Sequence, residues 1–78
     1  MRDSSIYAER NKRLRAILIA ARKNAGLTQE ELCARVGAYR TFVSKYEKGA
    51  RQVRVAEFIA LAEAMGLDPL EMLREVRG

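Results

Sequence analysis

The sequence TQEELCARVGAYRTFVSKYEKG, residues 28–49, carries the signals for two short helices joined by a glycine turn. Thr28 is followed three residues later by Glu31, a capping box that predicts a helix beginning at Gln29. Gly37 is expected to end this helix, because glycine adopts a left-handed backbone without steric cost. Two helices joined in this way have the layout of a helix-turn-helix motif.

The second predicted helix has two chemically different sides. Tyr39, Val43 and Tyr46 recur at helical spacing and predict an apolar side that packs inward. Phe42 falls between the two sides, where burial is the more common outcome and contact with a thymine methyl group is the alternative. The opposite side carries hydrogen-bond donors and no carboxylate: Arg40, Thr41, Ser44, Lys45 and Lys48. A helix-turn-helix motif inserts such a side into the DNA major groove, and a solvated helix face is the alternative.

The pattern resembles the XRE (Cro-type, lambda-repressor-like) family of DNA-binding proteins. The matching segments are GLTQEEL at residues 26–32, the dipeptide at 36–37, and VSKYEKG at 43–49. The small residue that the family has where its two motif helices pack closely is Cys33 here. The resemblance implies an all-α fold, a compact five-helix lambda-repressor-like domain over residues 14–76, with its helix-turn-helix at 28–48.

Four polar side chains of the second motif helix are the candidates for reading DNA bases. They are Arg40, Thr41, Ser44 and Lys45. Arg40 is the main candidate, because it lies at the end of the helix that goes deepest into the groove and a guanidinium pairs bidentately with guanine O6 and N7. Residues 40–42, Arg-Thr-Phe, are also similar to the controller proteins of restriction–modification systems, which are small members of the same family.

Five side chains are candidates for contacts with DNA phosphates: Arg22, Gln29, Arg51, Gln52 and Arg54. The resemblance implies that Arg22 forms an ion pair with Glu47 and points at a phosphate; a surface cation favoured by the helix dipole is the alternative. Gln29, at a helix N-terminus, either donates to a phosphate or is simply a neutral helix former. A base edge is a second possible target for Arg51.

The loop at residues 49–54 departs from the family pattern. The family often has proline followed by Ser or Thr at the positions of Val53 and Arg54. Without these residues, the helix predicted over residues 55–65 is expected to be poorly capped, and the loop before it to be loose.

The last predicted helix, residues 69–76, begins with a well-formed start in which Asp68 is the cap and proline follows. Leu70 and Leu73 are expected to close the core, which leaves Met72 and Val76 partly exposed. In related proteins the terminal helix forms a two-fold dimer interface, so the resemblance implies that role for Met72 and Val76. Scattered surface apolar residues are the alternative.

Residues 1–13 are either an N-terminal extension or the early part of helix 1. Tyr7 continues the helical face of Leu14, Leu18 and Ala21, which predicts a helix that begins near Ile6. A frayed terminus is the second interpretation. A third is a basic arm that touches DNA through Arg10, Lys12 and Arg13, although Asp3 and Glu9 in the same segment dilute its charge.

Composition limits the remaining classes of function. A chain of 78 residues has room for one small domain, and its net charge of +5 fits a polyanion, although an anionic membrane surface would satisfy charge alone. Without histidine and with one cysteine, neither a zinc site nor a cysteine–histidine nucleophile is expected. We expect no cofactor and no small-molecule ligand, no signal peptide or membrane span, and a location in the reducing cytoplasm.

The function that these features predict is sequence-specific binding of double-stranded DNA by a homodimer that regulates transcription. The alternative is a protein-binding module with the same fold, such as the antitoxin of a toxin–antitoxin pair. An enzyme is the third and weakest hypothesis, since the chain lacks histidine and a glycine-rich phosphate loop.

Overall fold

The structure is a computed structural model that describes the backbone of residues 5–78 and the side chains of residues 7–78. This part of the chain forms five helices and no strand, as the sequence predicts. They are α1 (Ser5–Asn24), α2 (Gln29–Val36), α3 (Phe42–Lys48), α4 (Val55–Ala64) and α5 (Pro69–Arg77). Over the same residues, none of the helices has the length and apolar character needed to cross a membrane.

Helix α1 is the longest element and begins at Ser5, so residues 5–13 form its first turns; residues 1–4 lie outside the described part of the chain. The guanidinium of Arg13 belongs to this early part. Its Nη1 donates to the carbonyl oxygens of Val76 and Arg77 at 2.8 and 3.2 Å. A cation at the C-terminal end of a helix satisfies free carbonyls and complements the helix dipole, so Arg13 ties α1 to the end of α5.

Both predicted boundaries of α2 are confirmed. The Thr28 hydroxyl accepts from the Glu31 N–H at 3.0 Å, and the Glu31 carboxylate accepts from the Thr28 N–H at 2.8 Å. The hydrogen bond from the Thr28 backbone holds the pKa of the Glu31 carboxyl below its ordinary value. At the other end, Gly37 has φ of 70° and donates to the last turn of α2. A side chain would be strained at that angle, which explains the need for glycine.

Helix α3 is shorter than the sequence predicts, because it begins at Phe42 and not near Tyr39. The Phe42 N–H donates to the Tyr39 carbonyl in a turn, and the first helical bond runs from the Lys45 N–H to the Thr41 carbonyl. The prediction that Tyr39 lies on the buried side is therefore wrong. Its ring is half exposed and meets the buried Phe42 ring edge-on, with centroids 5.9 Å apart.

The core lies where the inner sides of α1, α2, α3 and α4 meet, and Met72 of α5 closes it. Its largest fully buried side chains come from all four of these helices: Tyr46, Leu18, Leu32, Leu61 and Val43. Burial raises the pKa of Tyr46, and the neighbouring Glu47 carboxylate adds to the effect. Two core side chains of α3, Phe42 and Tyr46, pack edge-to-face with ring centroids 5.4 Å apart. Helix α3 is therefore held by its inner side, and its outer side is left to solvent.

The predicted orientation of α5 is wrong. Met72, expected at the surface, is 4% exposed, whereas Leu70 and Leu73, expected in the core, are 67% and 45% exposed. Val76 is half-buried. Two overlapping apolar stripes occur on this helix, one through residues 72 and 76 and one through residues 70 and 73, and spacing alone does not rank them. Packing of α5 against α1 and α4 turns the first stripe inward.

Candidate nucleic-acid interface

The turn between α2 and α3 is held in place by Cys33. Its thiol donates to the Arg40 carbonyl at 3.3 Å and accepts from the Val43 N–H at 3.4 Å. Cys33 is buried, and a small side chain there lets the two helices approach closely. The backbone of residues 40–43 is consequently bound to α2, which fixes the point from which the Arg40 and Thr41 side chains leave the domain.

The four predicted base-reading side chains differ in their exposure and in whether their donors are already bonded within the chain. Arg40, Thr41 and Lys45 are exposed, and Ser44 is half-buried. The Ser44 hydroxyl donates to the Thr41 carbonyl at 3.0 Å, so its proton is already used within the chain. The Lys45 ammonium lies 5.6 Å from the centre of the Tyr39 ring. Because α3 begins at Phe42, Arg40 and Thr41 project from the turn before the helix and not from the helix itself.

Arg22, Gln29 and Glu47 form one hydrogen-bonded network that joins α1, α2 and α3. Arg22 donates to the two Glu47 carboxylate oxygens from Nε at 2.7 Å and from Nη2 at 3.1 Å. The Gln29 amide donates to the same carboxylate at 2.8 Å. The Arg22 and Glu47 side chains are only 11% and 7% exposed, and their hydrogen bonds raise the pKa of Arg22.

This network limits what Arg22 and Gln29 can offer to DNA. Arg22 also donates from Nη1 to the Leu27 carbonyl at 2.9 Å, so every nitrogen of its guanidinium already has a partner within the chain. Each terminal nitrogen carries a second proton, and the Gln29 amide likewise keeps one. A phosphate contact from either side chain therefore has to share donors with Glu47.

The loop before α4 is not loose, contrary to the sequence-based expectation. The Glu57 carboxylate accepts from the Arg54 N–H at 2.8 Å and so caps the helix from its third position. The same carboxylate receives the Arg51 guanidinium through two bonds of 2.8 and 2.6 Å. Arg51 lies over the Phe42 ring, with its central carbon 4.8 Å from the ring centre. An acid three residues into α4 thus replaces the missing proline and hydroxyl cap.

The predicted phosphate contacts in this loop differ in how free their side chains are. Gln52 and Arg54 are exposed, whereas Arg51 is partly buried and occupied by Glu57. The hydrogen bonds to Glu57 raise the pKa of Arg51. Arg51 therefore contributes mainly to the packing of the loop against α3, and a contact with a phosphate or a base falls to its Nε–H and the second Nη2 proton.

Lowering the pH is expected to destabilise the fold through Glu57. The bonds from Arg51 and from the Arg54 N–H lower the pKa of Glu57 from 4.5 to about 2. A carboxyl whose pKa is lower in the folded state contributes stability fully above its unfolded pKa and loses it as the pH falls toward the folded value. The difference in free energy of unfolding between wild type and Glu57→Gln should therefore be largest near neutral pH and narrow steadily below pH 4.5. Urea titrations over a series of pH values measure it.

Glu63→Gln is the matched control for this pH profile, because Glu63 is an exposed carboxylate on the same helix. Its difference from wild type should stay small at every pH. A Glu57→Gln difference that does not change with pH would contradict the role of the Arg51–Glu57 pair.

The sequence patterns assign no role to two carboxylates of this surface, Glu57 and Glu30. Glu57 was missed although an acid at the third position of a helix is a recognised capping signal. Glu30 was missed because its partner is distant in the chain: it receives Arg40 from Nε at 3.1 Å and from Nη2 at 3.0 Å. No local pattern links these two residues, which the turn brings together.

Comparisons with known proteins agree with this geometry. A family model described as Helix-turn-helix matches residues 18–72. The HTH-type transcriptional regulator y4dJ of Sinorhizobium fredii, described as uncharacterized, is 38% identical over 52 residues, which are 67% of this chain and 68% of that protein.

Among solved structures, an XRE-family like protein and a gene regulator have folds similar to that of this chain. An XRE-family like protein from Pseudomonas syringae pv. tomato superimposes with a TM-score of 0.88 at 38% identity, over 94% of this chain and 89% of the other. ClgR, the clp gene regulator of Corynebacterium glutamicum, gives a TM-score of 0.78 at 25% identity, over 88% and 73% of the two chains.

Five helices with a glycine turn between α2 and α3 define an all-α helix-turn-helix domain. The matches show, more narrowly, that the chain belongs to the XRE-type helix-turn-helix family. This is a family of transcriptional regulators, so membership implies DNA binding and points away from an enzyme.

Proposed function

We propose that this chain is a sequence-specific regulator of transcription that binds double-stranded DNA as a homodimer on paired half-sites, with α3 in the major groove. The observation that carries the proposal is the contrast between the buried inner side of α3 and the exposed donors of the turn that leads into it. Its inner side is anchored in the core by Phe42, Val43 and Tyr46, while Arg40 and Thr41 stand exposed at its N-terminal end. A rigid element with free donors at that end is suited to reading base edges.

Base reading in this proposal depends on Arg40 and Thr41, supported by Lys45 and, through its oxygen, Ser44. Register along the duplex would come from phosphate contacts by Gln29, Gln52 and Arg54, with Arg22 and Arg51 in supporting roles. Phosphate contacts position a protein on DNA, and base contacts specify the sequence. The resemblance of residues 40–42 to controller proteins extends the proposal to the control of restriction–modification genes. Membership of a regulator family is consistent with action in the cytoplasm.

The dimer would form through an apolar dimer surface, which consists of Ile59, Leu67, Leu70 and Leu73. These side chains are exposed on α4, on α5 and on the segment that joins them. This revises the predicted interface, because Met72 is buried in the protein's own core and only the half-buried Val76 keeps part of its surface. A two-fold dimer repeats the recognition element, which suits two symmetric half-sites about one helical turn apart.

Selection of bound sites from random duplex DNA tests the proposal. We expect an enriched motif made of two symmetric half-sites whose centres are about 10 base pairs apart. Affinity for the selected duplex should fall steeply as salt increases, since each phosphate contact releases counterions. Enrichment of no motif would reject sequence-specific binding, and a single unpaired half-site would reject the dimer.

Replacing Arg40 by alanine is expected to weaken preference at one base pair per half-site. A bidentate contact with guanine discriminates by about 1–3 kcal/mol, so the preference there should fall about 10-fold or more. Titration of the selected duplex and of single-base variants measures this change. An equal loss on every duplex would assign Arg40 to a phosphate and contradict base reading.

A further inference from the structure

An acidic side chain lies inside the candidate interface, directly beside the main base-reading candidate. Glu30 is in the first turn of α2, and its side chain is 64% exposed, while that of Arg40 is 80% exposed. DNA is a polyanion, so a carboxylate in this place repels the duplex. A direct contribution of Glu30 to affinity is therefore unfavourable, and any benefit has to come through the side chain that it holds.

The contact between the two side chains is directional. Glu30 Oε2 accepts from Arg40 Nε at 3.1 Å and lies 3.0 Å from Arg40 Nη2. Both of these nitrogens belong to one edge of the planar guanidinium. The other edge, formed by Nη1 and Nη2, still has two parallel N–H groups, which is the arrangement that matches guanine O6 and N7.

Arg40 is consequently held at both ends. Its carbonyl oxygen accepts from the Cys33 thiol at 3.3 Å, which fixes the backbone, and Glu30 holds one edge of the guanidinium. A long arginine side chain loses much rotamer freedom when it is ordered on a ligand. Holding it in one orientation before DNA arrives reduces that loss and favours the base that fits this orientation.

We propose that Glu30 is a positioning residue for base reading, whose carboxylate holds the Nε edge of Arg40 and presents the opposite edge to guanine. This inference rests on the proposed function, because it requires that Arg40 reads a base. It adds a specificity-determining role for a residue that carries the same sign of charge as DNA.

The test is the replacement Glu30→Gln, compared with wild type in selection from the same random duplex library and in titrations of the selected site. Exposed ion pairs make small contributions, so preference for guanine at the Arg40 position should fall about 2- to 5-fold. Affinity for arbitrary duplexes should stay equal or rise, because one repulsive charge is removed. A loss of folding would lower affinity for every duplex, so it would not produce this combination.

Repeating Glu30→Gln in a variant that already carries Arg40→Ala shows whether Glu30 acts on base preference through Arg40. If Glu30 acts through Arg40, Glu30→Gln should leave base preference unchanged in that background. A matched control is Glu71→Gln, which neutralises a carboxylate of another exposed ion pair, the one with Arg74 on α5, and should not change preference.

Three results would overturn the inference. The first is unchanged preference in Glu30→Gln. The second is a loss of preference that persists without Arg40, which would mean that Glu30 itself accepts from a cytosine amino group. If the wild type selects a motif and Arg40→Ala alters that motif, either of these first two results overturns the inference and leaves the proposed function intact. The third, a wild type that selects no motif at all, overturns both.

Discussion

Replacing Glu47 by alanine is expected to lower the free energy of unfolding by about 3 kcal/mol, the low end of the range for removing one partner of a buried ion pair. Arg22 would remain as a charge that is only 11% exposed, and the Gln29 amide would lose its acceptor. Alanine is a better helix former than glutamate, so the loss cannot come from helix propensity. Urea unfolding followed by far-ultraviolet circular dichroism measures the change.

Two further variants make the Glu47 experiment specific. Glu71→Ala removes an acid from an exposed ion pair and should cost about 0.5 kcal/mol or less. The double replacement Arg22→Met with Glu47→Leu leaves no buried charge, so it should be less destabilising than Glu47→Ala alone. A loss below about 1 kcal/mol for Glu47→Ala would mean that solvent screens the network as it screens a surface pair.

The Glu47 result bears on function because the network joins three helices. Arg22 comes from α1, Gln29 from α2 and Glu47 from α3. Its loss would weaken the hold of α3 on α1 and α2, so Arg40, which stands at the start of α3, would be positioned less well. We therefore expect that stability and base preference decline together in Glu47→Ala, whereas Glu30→Gln alters preference alone.

The second large effect is expected from Leu73→Glu, which places a charge in the apolar dimer surface. Burial of an unpaired carboxylate between two copies is strongly unfavourable, so the dimer should dissociate. Binding of two linked half-sites gains about 100-fold or more in affinity over one, and the variant should lose that gain. Sedimentation velocity measures the dissociation, and titrations with duplexes that carry two half-sites or one measure the affinity.

The Leu73→Glu experiment has a matched control in Tyr7→Glu. Tyr7 is an exposed large apolar residue on α1, a helix that contributes no residue to the apolar dimer surface, so the same change of character occurs outside that surface. It should alter neither the oligomeric state nor the affinity. Because Leu73 is already 45% exposed, the fold of the monomer should survive its replacement. An unchanged dimer in Leu73→Glu would move the interface to another surface.

Helix boundaries were the most predictable part of this fold. The sequence predicts that α2 begins at Gln29 and ends at Gly37, and that α5 begins at Pro69 after an Asp68 cap; all three are confirmed. The Asp68 carboxylate accepts from the Leu70 N–H at 2.9 Å. Such signals act between residues two to four positions apart, so the local sequence contains all of the interacting groups.

Helix orientation was less predictable, since it depends on partners elsewhere in the chain. The sequence pattern predicts Tyr39 in the core, but its side chain is half exposed, and Met72 and Leu70 occupy the opposite environments from those predicted. A short helix with apolar residues on two neighbouring sides is compatible with either side facing inward. The choice is made by the shape of the surface on which the helix packs.

The candidate interface likewise has one part that the sequence determines and another that only the packing of the helices determines. The amino-acid order alone establishes which donors surround the glycine turn, because residue type and short-range helix signals are local properties. Which of those donors is free depends on carboxylates that packing brings close: Glu47 occupies Arg22, Glu57 occupies Arg51, and Glu30 holds one edge of Arg40. These partners come from different helices, 25 residues apart in the case of Arg22 and Glu47, and electrostatic attraction between them acts only once the helices have packed.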